Sequence, residues 1–327
     1  MNSEKNRIEW IDLAKGMSII LVVYGHSWLS NIPFFGDFFA SIRMPFFFFC
    51  SGLLFNYNKF PSLVFLIKRR YRTLVRPFFY FSLIVLLLEF YVQDNWLFFV
   101  KNTLMYGWGG YALWFIPVLA ATELWFYLIN KISNGKDVYT VLVMIISAML
   151  GYLTYYYRVP NYYNICFVLT SVIFYGAGNI LSSHIISFFR NQPIWKILVA
   201  AVIFFITTLS FLFNQTRPDF GANYLVGPAT YSAGLSGALM MCCIAVFISR
   251  LTFTPIRYIK HVIVFMGMNS YVILAFHQII LLLLGKYTNL SGVVERLVMW
   301  AILVFLILAI NRYFPSLLGR NKEYITK

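Results

Sequence analysis

Residues 8–26 read IEWIDLAKGMSIILVVYGH, an apolar run that carries Asp12 and Lys15 near its start and ends on His26. Because ionisable side chains are costly in hydrocarbon, each of these three is a candidate functional residue. Eleven positions separate Lys15 from His26. At a rise of about 1.5 Å per residue this is roughly 16 Å, or half a bilayer. The run therefore predicts a helix with one polar group near each membrane face.

The composition of the chain indicates a membrane protein. Of its 327 residues 61% are hydrophobic and 11% are charged, whereas soluble domains are about 45–50% apolar and about 25% charged. The apolar segments are continuous runs rather than alternating ones, which favours helices over a β-barrel. We expect an all-α, polytopic protein with a single transmembrane domain over residues 1–327.

About ten transmembrane helices are predicted, and most connections between them are short. The longest connections are residues 56–77, 94–111 and 214–228. The helices are expected at residues 11–29, 35–55, 78–93, 112–130, 138–156, 164–182, 195–213, 229–249, 262–284 and 293–313.

The basic residues predict how the chain lies in the membrane. Nineteen of the 26 Lys and Arg residues flank one alternating set of helix ends, and five flank the other set. Since cytoplasmic flanks are enriched in Lys and Arg, both termini are expected in the cytoplasm. This distribution also explains most of the net charge of +15, so no nucleic-acid partner is expected.

This orientation assigns a depth to the polar side chains. Trp114 is expected at the outer mouth of the fourth helix and Glu123 near mid-membrane. Four side chains from different helices are expected at one depth in the outer half of the membrane, where they predict a polar cavity open to the outside: His26, Arg43, Glu89 and His277.

Each candidate has a structural and a functional interpretation. His26 could hydrogen-bond a neighbouring helix, or it could act as a general base on a hydroxyl. Lys15 could extend to the headgroups, or Asp12, three residues earlier on the same helix face, could hold it towards the interior for an anion. Arg43 always carries its charge and must find an acceptor. Glu89 is expected to be paired or solvated.

Two further groups of residues have alternative interpretations. The basic side chains of residues 68–76 could contact anionic lipid or bind a phosphorylated cytosolic ligand. The four cysteines lie in apolar runs and form no CxxC pair, so we expect small core residues rather than disulfides or a zinc site. They are Cys50, Cys166, Cys242 and Cys243.

Four motifs together resemble the acyltransferase 3 family of membrane O-acyltransferases, which modify bacterial cell-surface glycans. Residues 7–26 resemble the first helix of that family, and residues 43–52, RMPFFFFCSG, its second-helix motif. Residues 113–117, LWFIP, resemble its fourth-span motif, and residues 267–277, GMNSYVILAFH, its late helix with a histidine. The chain looks most similar to the fucose 4-O-acetylase-like branch, and the ten-span count agrees.

The resemblance implies an activity and a set of site residues. The family has an arginine, ten residues and a histidine, and here Lys15 takes the arginine position. The donor would be acetyl-CoA from the cytosol, a co-substrate rather than a permanent cofactor, with no metal. The acceptor would be a hydroxyl of a glycan or lipid-linked sugar. The resemblance implies His26, Lys15 and Arg43 as catalytic residues. The predicted depth of the side chains independently suggests the other site residues. The expected donor-binding residues, on the cytosolic side, are Asp12, Lys15, Arg72 and Arg76; the expected substrate-binding residues are Trp114, Glu123, His277 and Ser51.

The expected location is the bacterial cytoplasmic membrane, with lipid as a partner and homo-oligomerisation left open. His26 could act as a base or carry the acyl group. One rival function is proton-coupled secondary transport, which ten spans, a deep carboxylate and two histidines would suit. The chain has no internal repeat and no evident broken helix pair, which speaks against it. A scaffold role would leave Lys15, His26 and Arg43 unexplained.

Overall fold

The computed structural model describes residues 8–26, 35–92, 94–106, 110–157, 159–213 and 227–318. Within these ranges the chain is helical and has no strand. The α-helices are α1 Glu9–Tyr24, α2 Phe35–Leu54, α3 Leu63–Arg70, α4 Arg76–Glu89, α5 Trp96–Tyr106, α6 Phe115–Ile132, α7 Asp137–Tyr156, α8 Ile165–Ile180, α9 Ser182–Asn191, α10 Ile194–Phe213, α11 Gly227–Arg250, α12 Thr254–Met268, α13 Ser270–Tyr287 and α14 Gly292–Tyr313.

The predicted fold class, an all-α polytopic membrane protein, is confirmed. In the described ranges, 9 helical segments are long and apolar enough to cross a membrane, and they correspond to the second to tenth predicted spans. The first predicted span is α1, whose 16 residues make it shorter than the others. Residues 27–29, which the prediction also assigned to it, lie outside the described ranges.

The third span is much longer than the predicted 78–93. Helix α3, a π-helical turn at Tyr71–Val75 and α4 continue without interruption from Leu63 to Glu89. The basic side chains of residues 68–76 favoured a connection in the sequence, yet they lie on a helix. The hydroxyl of Tyr271 donates to the carbonyl of Leu74 at 2.8 Å, which attaches the π-helical turn to α13.

The predicted continuous span 262–284 is wrong, because α12 and α13 are separate helices that meet at Asn269. The side-chain amide of Asn269 donates to the carbonyl of Phe265 at 2.9 Å, and its backbone N–H donates to the same carbonyl at 3.2 Å. A side chain that competes in this way for backbone groups ends a helix. Asn311 of α14 donates to Oδ1 of Asn269 at 2.9 Å and holds the break in place.

Helix α5 occupies residues that the sequence analysis treated as a connection, 94–111. With 11 residues it is too short to cross a bilayer. The indole N–H of Trp96 donates to the carbonyl of Leu86 at 2.6 Å, so α5 is tied to α4.

Glycines let α1 approach α12 closely. A Cβ at Gly267 would lie 2.6 Å from the carbonyl oxygen of Asp12 and 2.7 Å from the nitrogen of Gly16. Helices in membranes use such small residues to bring their backbones together. The contact fixes α1 against α12 at the level of Asp12.

The four cysteines are all buried and none forms a disulfide. They contribute to the apolar interior, for example Cys50 on α2 and Cys242 on α11. Their prediction as core residues is confirmed.

The contacts of α1 define two ends of the bundle, the Lys15 end and the His26 end. Helix α2 runs antiparallel to α1, because Arg43 abuts Gly25 while Ser51 lines a cavity together with Lys15. Helix α13 runs in the same direction as α1. It begins beside that cavity at Ser270 and reaches His26 through Gln278.

Candidate active site

A cavity of about 800 Å³ opens at the Lys15 end. It lies among α1, α2, α3, α6, α12, α13 and α14, and both sides of the helix break contribute, through Met268 and Ser270. We call it the Lys15 cavity. It brings together four residues that the sequence analysis selected, namely Asp12, Lys15, Ser51 and Glu123.

A buried ion pair at the Lys15 cavity joins Arg70 of α3 to Glu123 of α6. Nε of Arg70 donates to Oε1 of Glu123 at 2.7 Å, and Nη2 donates to the same oxygen. The side chain of Glu123 is only 5% exposed. A carboxylate this buried needs a charged partner, since removing one member of a buried pair is strongly destabilising. The pair places a guanidinium at the wall of the cavity.

Arg70 was missed by the sequence analysis as an individual site residue. It lies four residues after Leu66, which is fully buried, so both are on the inward face of α3. That spacing identifies Arg70 among its basic neighbours only once residues 63–70 are recognised as a helix.

Asp12 and Lys15 lie three residues apart on α1 and both line the Lys15 cavity. Asp12 also borders a second cavity of about 480 Å³, whose wall includes Arg257, Lys260 and His261. Lys260 forms an ion pair with Glu9 at 3.6 Å. This end of α1 is therefore surrounded by charged side chains.

Arg72 and Arg76, which were expected to bind the donor because they lie in the cytosolic basic cluster, do not line the Lys15 cavity. Arg72 is exposed. Arg76 donates from Nη2 to the carbonyl of Ser316 at 2.7 Å, next to Pro315 at the cavity wall. The π-helical turn between Arg70 and Arg76 directs these side chains to different places.

At the other end of α1, Gly25 and Arg43 lie in direct contact. His26 continues the last turn of α1, and its backbone N–H donates to the carbonyl of Val23 at 3.1 Å. The guanidinium of Arg43 occupies the space where a side chain at position 25 would begin. The absence of a side chain at position 25 therefore allows the guanidinium of Arg43 to lie against the backbone next to His26.

His277 of α13 packs against His26. The centroids of the two rings are 5.3 Å apart and the planes are tilted by 47°. His277 is fully buried, whereas His26 is exposed. Three residues that were expected at one depth, His26, Arg43 and His277, are thus brought together.

Gln278 joins this group and was missed by the sequence analysis. Its Oε1 accepts from the backbone N–H of Ala112 at 2.8 Å, and its Nε2 lies 3.2 Å from Nδ1 of His26. We call His26, Arg43, His277 and Gln278 the histidine cluster. The position of Gln278 next to His277 was the one available signal in the sequence.

Glu89 and Trp114, which were also expected in the outer half of the membrane, have other contacts. Glu89 is fully buried and accepts a hydrogen bond from the hydroxyl of Tyr111, in keeping with the structural pairing favoured from the sequence. Trp114 packs against Phe167, with 5.0 Å between the ring centroids. It immediately precedes α6 and lies two residues after Ala112, which anchors Gln278.

The comparisons with known proteins give one match. The family model described as an acyltransferase domain matches residues 8–311. No curated protein and no solved structure matches the chain. The matched range includes both the Lys15 cavity and the histidine cluster.

Proposed function

The chain belongs to the acyltransferase 3 family, and we propose that it is a membrane O-acetyltransferase. In this proposal it moves an acetyl group from cytosolic acetyl-CoA to a hydroxyl of a cell-surface or lipid-linked glycan. The observation that carries the proposal is the separation of a polar cavity, which holds Lys15 and Arg70, from a histidine cluster along one helix, in a chain of this family.

Donor binding is proposed at the Lys15 cavity. Coenzyme A carries phosphates at one end, and Lys and Arg side chains such as Lys15 and Arg70 suit phosphates. The cavity volume of about 800 Å³ falls within the range of about 300–1,000 Å³ that is usual for ligand sites. We propose that this end faces the cytosol, since the distribution of basic residues favours cytoplasmic termini.

The pantetheine arm of the donor would bridge the two ends. Lys15 and His26 are eleven residues apart, about 16 Å along α1. We propose that the arm passes beside α1 so that the thioester reaches the histidine cluster.

The proposed reaction is base-assisted acyl transfer. His26 takes the proton of the acceptor hydroxyl, and the hydroxyl oxygen attacks the thioester carbonyl. The guanidinium of Arg43 stabilises the oxyanion of the tetrahedral intermediate, with Trp114 as a second candidate donor. Collapse forms the ester and releases the thiolate of coenzyme A, which takes the proton from His26. An acyl group carried on His26 is the alternative order of the same transfer.

The proposed location is the bacterial cytoplasmic membrane. The acceptor would approach His26 from the opposite side to the donor, because His26 is the exposed member of the histidine pair. Membrane lipid surrounds the helices. Homo-oligomerisation remains a prediction.

Membranes that contain the protein, supplied with labelled acetyl-CoA and the surface glycans of the host, test this function. His26→Ala and His26→Gln are expected to abolish labelling of the glycan. His184→Ala is the matched control, because His184 is exposed on α9 and lies away from both sites. Labelling that persists in both His26 variants would remove His26 from the mechanism.

One observation favours the rival function, proton-coupled transport. The break at Asn269 separates α12 from α13, and the helix ends at Met268 and Ser270 line the cavity. Transporters build binding sites from broken helices. Proteoliposomes with a pH-sensitive dye inside distinguish the two. Proton uptake coupled to solute entry, without acetylated product, would favour transport.

A further inference from the structure

The histidine cluster contains enough hydrogen-bonding information to assign the tautomers of both histidines. Gln278 lies between the backbone N–H of Ala112, which can only donate, and Nδ1 of His26. Its Oε1 accepts from Ala112 at 2.8 Å, so its amide NH₂ group must be the one that faces His26. Nε2 of Gln278 lies 3.2 Å from Nδ1 of His26.

An amide NH₂ group has no lone pair to offer, so it can only donate to His26. Nδ1 of a neutral His26 must then be the unprotonated nitrogen, and Nε2 must carry the proton. The hydrogen-bond partner of one ring nitrogen determines whether the other nitrogen carries the proton, and a second residue commonly fixes the tautomer of a histidine in this way.

His277 has the opposite arrangement. Its Nδ1 lies 2.8 Å from the carbonyl oxygen of Ile273, which can only accept, so Nδ1 carries the proton. Its Nε2 is buried and has no hydrogen-bond partner among the described residues. The two adjacent rings, 5.3 Å apart, therefore differ in which nitrogen is protonated.

We propose that Gln278 is a positioning residue that holds His26 in its Nε2–H tautomer and so makes Nδ1 the nitrogen that accepts the proton of the acceptor hydroxyl. The part of the proposal that concerns proton transfer rests on the proposed function; the part that concerns the tautomer does not. It also predicts where the acceptor hydroxyl binds, namely on the edge of His26 that faces Gln278 and Ala112. When the acceptor binds, its hydroxyl replaces the amide of Gln278 as the donor of a hydrogen bond to Nδ1 of His26.

Two variants separate positioning from simple packing. Gln278→Glu keeps the length of the side chain and the bond from Ala112, but its carboxylate accepts from Nδ1–H and reverses the tautomer of His26. Gln278→Leu removes both hydrogen bonds, so that no partner at this position favours either tautomer of His26. In a catalytic triad, a histidine in the wrong tautomer lowers kcat by about 10⁴-fold. We expect at least a hundredfold loss of kcat for Gln278→Glu and about tenfold for Gln278→Leu, with the KM for acetyl-CoA unchanged in both.

The tautomers are measured by nitrogen-15 NMR of the histidine-labelled protein in membranes, with His26→Gln used to assign the His26 signals. We expect His26 protonated at Nε2 and His277 protonated at Nδ1 in the same spectrum, so that His277 is an internal control. Gln278→Glu is expected to move the proton of His26 to Nδ1 and to leave His277 unchanged.

Wild-type His26 protonated at Nδ1 overturns the proposal whatever the activities are. A greater loss of kcat in Gln278→Leu than in Gln278→Glu also overturns it, because that order indicates packing alone. If the wild-type protein transfers no acetyl group, the proposed function fails, whereas the NMR spectrum still decides the tautomer.

Discussion

The Lys15 cavity and the histidine cluster lie at opposite ends of α1 and hold their polar groups in different ways. In the cavity, a buried carboxylate is neutralised by a guanidinium, Glu123 by Arg70. In the cluster, the two rings are held mainly by uncharged hydrogen bonds, through Gln278 to His26 and through Ile273 to His277. An anionic ligand requires permanent cations, whereas proton transfer requires an imidazole with a defined free nitrogen. The charged groups of the cavity and the uncharged hydrogen bonds of the cluster are thus suited to two separate tasks, anion binding and proton transfer.

The largest effect that separates the two ends is expected at Gly25. In Gly25→Ala the new methyl group would overlap the guanidinium of Arg43 and displace it from the cluster. Removal of one oxyanion donor costs about 10²–10³-fold in kcat, so we expect a loss of that size and unchanged affinity for coenzyme A. Gly285→Ala is the matched control, because its nearest neighbour would be a carboxylate oxygen at 3.8 Å. Equal activity of the two variants would exclude Arg43 from the reaction.

The next largest effect concerns the ion pair at the cavity. Arg70→Met leaves Glu123 buried without its partner, and breaking such a pair costs about 3–5 kcal/mol. We expect a thermal transition several degrees lower in detergent. The double variant Arg70→Met/Glu123→Leu should recover most of this stability, because no buried charge is left. It should bind coenzyme A more weakly than the wild type, because the guanidinium of Arg70 is missing. A double variant that binds coenzyme A as the wild type does would separate Arg70 from the donor site.

A smaller effect compares two cations of the Lys15 end. Lys15→Ala is expected to weaken the binding of coenzyme A by about tenfold, or about 1.4 kcal/mol, because Lys15 lines the cavity. Arg72→Ala is expected to change it by less than about twofold, because Arg72 is exposed on the surface and exposed charges contribute little. Isothermal titration with coenzyme A measures both. The opposite order would assign donor binding to Arg72, as the basic cluster in the sequence predicted.

Some of this site could be predicted from the sequence because a helix has a fixed rise. Eleven positions separate Lys15 from His26, so a helix holds the two residues about 16 Å apart along its axis. The alternation of helix direction likewise placed Arg43 and His277 at the level of His26. The relative position of these residues along the helix bundle can therefore be predicted from one sequence.

The contacts between side chains of different helices cannot be predicted in the same way. Gln278 matters because its amide lies between Ala112 and His26, which are far apart in the chain, and no local pattern encodes that. The π-helical turn that directs Arg70 and Arg76 to different places was hidden by a run of basic side chains. The break at Asn269 is supported by a hydrogen bond from Asn311, which belongs to another helix.

The central claim is that donor binding and proton transfer are located at opposite ends of α1. It is tested most directly by measuring coenzyme A affinity and acetyl transfer in the same preparation of His26→Gln. We expect the affinity to stay within about twofold of the wild type while transfer is lost. Affinity that falls together with transfer would contradict it, because the histidine cluster would then be part of the donor site.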